Sequence, residues 1–149
     1  MACRDCRSRD SAGARFARSR RGTGRLQVFD PDGKLLEQWT GYGKPTGIFL
    51  AKDDTLYVSD SLASWAARLR PDPKFPNLRA GWYVGSARDG MVKWFVPDEF
   101  GGPEDITADA RGDVYTAEWG PQTIRKFILD PARVALMDKE PRQKSLGRE

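Results

Sequence analysis

Four carboxylates, two phenols and one guanidinium are the side chains whose type and setting suit them for chemistry in this chain. Asp60 and Glu118 each end a short apolar stretch, in Leu-Tyr-Val-Ser-Asp60 and Val-Tyr-Thr-Ala-Glu118. Glu104 and Asp105 are adjacent, directly after Gly101-Gly102-Pro103. Grouped carboxylates are the oxygen donors that calcium takes, and they also attract cationic substrates. Tyr57 and Tyr115 sit at matching places in the two stretches and bring phenolic donors, and Arg88, in Gly-Ser-Ala-Arg88-Asp-Gly, suits an anionic group. Each has a structural use as well. The carboxylates can accept from turn amides, the tyrosines can pack, and a turn arginine can lie in water. Asp60, Glu104, Asp105 and Glu118 are therefore the candidate metal ligands, and Arg88, Tyr57 and Tyr115 the candidate ligand-binding residues.

Histidine is absent from all 149 residues. That excludes Ser-His-Asp and Cys-His nucleophile systems and every His-containing zinc site within the chain. Both cysteines lie near the start, as Cys3-Arg-Asp-Cys6. A C-x-x-C pair needs a second pair, or two histidines, to close a zinc site, and neither follows. Calcium is thus the cation the sequence favours, and zinc does not fit. Gly41-Tyr42-Gly43 resembles a phosphate loop only in its glycines, because no helix pattern follows it.

The net charge of +4 suggests a nucleic-acid partner until its location is considered. Residues 1–24 hold seven arginines against two aspartates, which leaves 18 basic and 19 acidic residues for positions 25–149. The body is electrically balanced and shows no basic stripe, so no nucleic-acid partner is expected. Residues 1–24 are too poor in apolar side chains to order themselves and read as a disordered Arg-rich tail. They lack the apolar run of a secretory signal, and no window of the chain is apolar enough to span a membrane.

From Arg25 onward, short apolar-polar alternations are separated by Gly, Pro and Asp turns, the pattern of consecutive antiparallel strands. Hairpins are expected around residues 31–34, 52–55, 87–90, 110–113 and 130–131, with about ten strands in all. No connection leaves space for repeated α/β crossovers. Leu62, Trp65, Ala66 and Leu69 have helical spacing, before Pro71, Pro73 and Pro76 end it.

An internal repeat organises these strands. At an offset of 58 residues, Pro45-Thr-Gly-Ile48 falls on Pro103-Glu-Asp-Ile106, and Leu56–Asp60 falls on Val114–Glu118, without a gap. Four-stranded units of this kind are propeller blades. The fold expected is all-β, a partial β-propeller of about two and a half four-stranded antiparallel blades over residues 25–138, followed by a polar tail at 139–149. Known propellers close with 4–8 blades, so the sequence reads as the C-terminal portion of a longer ancestor or as a gene fragment, and its unpaired blades leave it to self-associate, to stay a marginal open array or to fold unstably. The tryptophans at 39, 65, 82, 94 and 119 are expected at blade interfaces.

Arg25-Leu-Gln-Val-Phe-Asp-Pro-Asp-Gly33, Thr55-Leu-Tyr-Val-Ser-Asp60, Val84-Gly-Ser-Ala-Arg-Asp-Gly90 and Gly112-Asp-Val-Tyr-Thr-Ala-Glu-Trp-Gly-Pro121 resemble NHL-repeat proteins. More narrowly, they resemble the bacterial six-bladed propellers grouped with peptidyl-α-hydroxyglycine α-amidating lyases. That resemblance implies a secreted or periplasmic setting, a zinc ion held by histidines in the channel, a structural calcium, and an arginine and a tyrosine at the reacting centre. The zinc ligands have no counterpart in a chain without histidine. Two functions follow. One is a non-catalytic module that binds a small molecule, peptide or protein on one propeller face. The other is part of a metal-dependent propeller enzyme, lyase-like or lactonase-like.

Overall fold

The hairpin turns establish the architecture. In the computed structural model, which describes residues 16–20 (backbone only), 24–61, 80–98 and 102–130, three of them share one geometry. The Ala51 amide donates to the Thr55 carbonyl at 2.9 Å and the Asp54 amide to the Ala51 carbonyl at 3.2 Å. Asp109, Gly112 and Asp113 repeat this pattern, and so do Asp30, Gly33 and Lys34. Each is a three-residue loop whose last residue has positive φ: 65° at Asp54, 86° at Gly112 and 84° at Gly33. Aspartate and glycine are the residues that tolerate this conformation. The Asp30 and Asp109 carboxylates also accept amide hydrogen bonds from within their own loops.

Ten strands form among the described residues, in three antiparallel sheets. Strands β1 (Phe16–Arg20), β2 (Arg25–Phe29) and β3 (Leu35–Thr40) make the first. Strands β4 (Gly47–Leu50), β5 (Thr55–Asp60), β6 (Gly81–Ser86) and β7 (Val92–Pro97) make a complete four-stranded blade. Strands β8 (Pro103–Ala108), β9 (Val114–Glu118) and β10 (Thr123–Phe127) make the third sheet. The chain is thus all-β, built as a partial propeller.

The 58-residue repeat is structural. Gly47 pairs with Ser59 and Ile48 with Val58, and at the same offset Asp105 pairs with Ala117 and Ile106 with Thr116. The registers differ only at the start of β8. There Pro103 faces Glu118 while Asp105 faces Ala117, leaving Glu104 as the extra residue of a bulge. Proline has no amide to give the ladder, and a bulge re-aims the side chain beside it.

Period-2 alternation builds two cores between the sheets. Leu26, Val28 and Trp39 of the first sheet pack on Ile48, Leu56 and Val58 of the blade. The blade's other face sends Tyr57, Trp82 and Val84 against Ile106 and Val114, with Phe127 joining from β10. Each fully buried aliphatic side chain contributes about 1.5–3 kcal/mol relative to exposure.

The first sheet starts earlier than its composition suggests, since the Phe16–Arg20 backbone pairs along β2, from Phe16 opposite Phe29 to Arg20 opposite Arg25. Main-chain pairing satisfies the edge amides of β2 whatever the side chains are, which is why an apolar count misses it. The helical turn expected over 62–69, the end of the expected blade region from 131 to 138, the tail at 139–149 and the Cys3/Cys6 pair all lie outside the described residues. Among the described residues no helix is long and apolar enough to cross a membrane.

Candidate functional site

The strand order gives the array two ends. The short hairpins at 30–34, 51–55, 86–91 and 109–113 lie at one. Strands β5 and β9 finish at the other, where β4 and β8 begin. All four candidate carboxylates fall at this second end, whereas Arg88 lies in a hairpin at the first.

The second end is held together by short polar contacts that join the entry to β4 with β5 and β8. Thr46 Oγ1 lies 3.2 Å from the Ser59 carbonyl oxygen, 3.2 Å from Ser59 Oγ and 3.2 Å from the Pro103 carbonyl oxygen. The Gly47 amide donates to Ser59 Oγ at 2.9 Å. A Cβ on Gly47 would come within 2.8 Å of Asp105 Cα, so the two strands approach as closely as glycine allows. The bulge at Glu104 brings its carboxylate to Ser61, whose hydroxyl donates at 2.6 Å. Asp105 Oδ1 accepts the Ile106 amide at 2.9 Å.

Asp60 is fully buried and its Oδ2 accepts the Lys44 amide at 2.8 Å. The carboxylate thereby ties the end of β5 to the loop entering β4. Glu118, its repeat counterpart, is also buried but is used differently. Thr116 Oγ1 donates to Glu118 Oε1, while Oε2 has no hydrogen-bond partner among the described residues. Burial pushes the Glu118 carboxyl above the usual range; the Thr116 bond opposes this, the Asp98 charge adds to it and Arg125 opposes it. Asp98, just past β7, is buried too, and its two carboxylate oxygens accept from Arg125 Nη1 at 2.6 and 2.7 Å. The Arg125 guanidinium carbon stands 5.1 Å from the Phe127 ring centroid. Two carboxyls and one guanidinium therefore meet where β7 of the blade faces β9 and β10 of the next sheet.

Arg88 Nε donates to Asp54 Oδ2 at 2.8 Å, joining two hairpins of one blade, with its side chain 76% exposed. Tyr57 is buried against Phe49, with ring centroids 6.1 Å apart. Burial first, and the Asp53 charge second, raise its phenol above the ordinary range. Tyr115 is half-buried and donates to Asp109 Oδ2 at 3.1 Å, beneath the Lys126 ammonium. The two matching tyrosines occupy equivalent backbone positions in unlike surroundings.

The structure thus gathers Asp60, Glu104, Asp105 and Glu118 at one end, each with its own protein contacts, and separates them from Arg88. Among the described residues no group of three or more His, Cys, Asp or Glu side chains converges as a metal site. Sequence reasoning missed Asp98 and Arg125, which are 27 residues apart and share no motif. Their only sequence signals are an aspartate directly after a strand and an arginine on the inward-facing register of β10.

No protein-family model matches this chain. No curated protein matches it either. Among solved structures, it is similar to the crystal structure of the WD40 β-propeller domain of Doa1, with a TM-score of 0.58 and 14% sequence identity. The alignment covers 81% of this chain and 35% of that one, so the chain spans about a third of that solved propeller's length. The likeness is one of fold, and together with the three consecutive sheets it establishes the β-propeller architecture.

Proposed function

We propose that this chain is an NHL-type propeller portion that acts as a non-catalytic module, binding a peptide or protein segment at the end where β9 leaves for β10. The observation that carries this reading is the use of the acidic side chains. Asp60 is committed to the Lys44 amide, Glu104 to Ser61, and Glu118 to Thr116. Carboxylates spent on the blade leave recognition to exposed side chains at that end. Trp119 lies there, in the β9–β10 connection, with 63% of its surface exposed. A large amphipathic ring exposed on a turn is the kind of anchor that peptide recognition uses.

The test is a selection of peptides from a displayed random library against the full chain, alongside metal analysis of the purified protein. The expected result is no stoichiometric calcium or zinc, an unfolding midpoint unmoved by chelator, and selected peptides that bind Trp119→Ala at least about tenfold more weakly. Stoichiometric calcium whose removal lowers the midpoint would overturn the reading in favour of a metal-dependent propeller enzyme.

A further inference from the structure

The repeat shows which sheet face lacks a neighbouring sheet among the described residues. Ser59 pairs with Trp82 across β5 and β6, and at the corresponding place Ala117 pairs with Ile124 across β9 and β10. Trp82 is 3% exposed, because the third sheet covers it and Phe127 meets its ring with centroids 5.3 Å apart. Ile124 is 77% exposed. Thr107 and Ala117 share its face and are exposed too, with Lys126 and the half-buried Tyr115 completing it. The same register that buries one blade's face against the next leaves this one open.

The first sheet offers the opposite kind of face. Leu26 and Val28 point into the blade, so Gln27 and Phe29 point away from it. Phe29 has a definite counterpart. A register shift falls between Val28 and Phe29 in the first sheet and between Val84 and Gly85 in the blade. Tyr57 pairs with Val84 and Tyr115 with Lys126, which makes Gly85 the counterpart of Phe127 in turn. Phe29 therefore stands on its sheet where Phe127 stands on the third, and Phe127 is the residue that meets Trp82.

We propose that two copies of this chain associate head to tail, the Ile124 face of each packing on the Phe29 face of the other. Ile124 of one copy then meets Phe29 of its partner as Trp82 meets Phe127 within a chain. The three sheets formed by the described residues of each copy make a ring of six, inside the range of 4–8 at which propellers close. A head-to-tail contact that closes after two copies leaves no open face, so assembly stops there. The face is less apolar than the internal ones, and the association is accordingly concentration-dependent.

The experiment uses the full chain, with Cys3→Ser and Cys6→Ser for the cross-linking arm. Sedimentation velocity across a concentration series is expected to show monomer giving way to one discrete dimer, and Ile124→Glu to weaken that dimer at least about tenfold with an unchanged circular dichroism spectrum. Ile124→Cys combined with Phe29→Cys is expected to join two chains through a short thiol-reactive cross-linker, and neither single variant to do so. A monomer at every concentration, an open-ended ladder of species, or cross-linking by Ile124→Cys alone, which would signal face-to-face pairing, each overturns the proposal.

Discussion

Replacing Gly43 with alanine separates a structural Asp60 from a ligand-binding one. Gly43 has φ +61°, and a Cβ there would lie 2.1 Å from Asp60 Oδ2 and 2.7 Å from Tyr83 Oη. Gly33 is the control, with φ +84° and nothing within 4 Å of the added carbon. Both substitutions pay the left-handed backbone penalty, about 1–2 kcal/mol. Only Gly43→Ala also displaces a fully buried carboxylate from the Lys44 amide, and a hydrogen bond to a charged group is worth about 1.5–3 kcal/mol. Urea unfolding of the full chain, followed by tryptophan fluorescence, should therefore place Gly43→Ala about 2 kcal/mol below Gly33→Ala. Equal midpoints and slopes for the two variants would refute the argument, since Asp60 would then be free to move and its contact with Lys44 would hold nothing.

Glu118→Gln tests the buried carboxyl. Because folding raises its pKa, Glu118 binds its proton more tightly folded than unfolded; that stabilisation is present at acid pH and is lost as pH rises through the folded-state value. Glutamine should therefore gain stability relative to the native chain as pH goes from 4 to 8, read from thermal midpoints in a buffer series. Arg125→Ala leaves the Asp98 carboxylate buried without its guanidinium and should cost about 2–4 kcal/mol, the half-exposed arginine keeping it below a fully buried pair, as chemical denaturation would measure. Arg88→Ala should change stability by less than about 1 kcal/mol in the same assay, since its partner contact is screened by water.

The candidate site was legible in part. Asp60 and Glu118 end strands in one repeat register, so their common end of the array follows from the 58-residue offset alone. Their partners do not. Lys44 precedes the proline that opens the repeat, and its amide reaches Asp60 only because the chain curls back over β5. Glu104 and Asp105 look like a ligand pair in the sequence, but the bulge after Pro103 turns one to Ser61 and leaves the other on its own strand. Asp98 and Arg125 carry no periodic mark, because a salt bridge between sheets depends on how two faces are set against each other.

Strand identity, hairpin order and the blade repeat were written locally, in alternation and in turn residues such as Asp30, Asp54 and Gly112, whose conformational preferences act over a few residues. Long-range packing settled the rest. It buried Tyr57 but left its counterpart Tyr115 only half-buried, and it covered Trp82 while leaving Ile124 in solvent. It also paired the Phe16–Arg20 backbone with β2, which no side-chain pattern announced. Equivalent positions of a repeat share a backbone conformation by chemistry, but they share an environment only where the neighbouring sheet is also present.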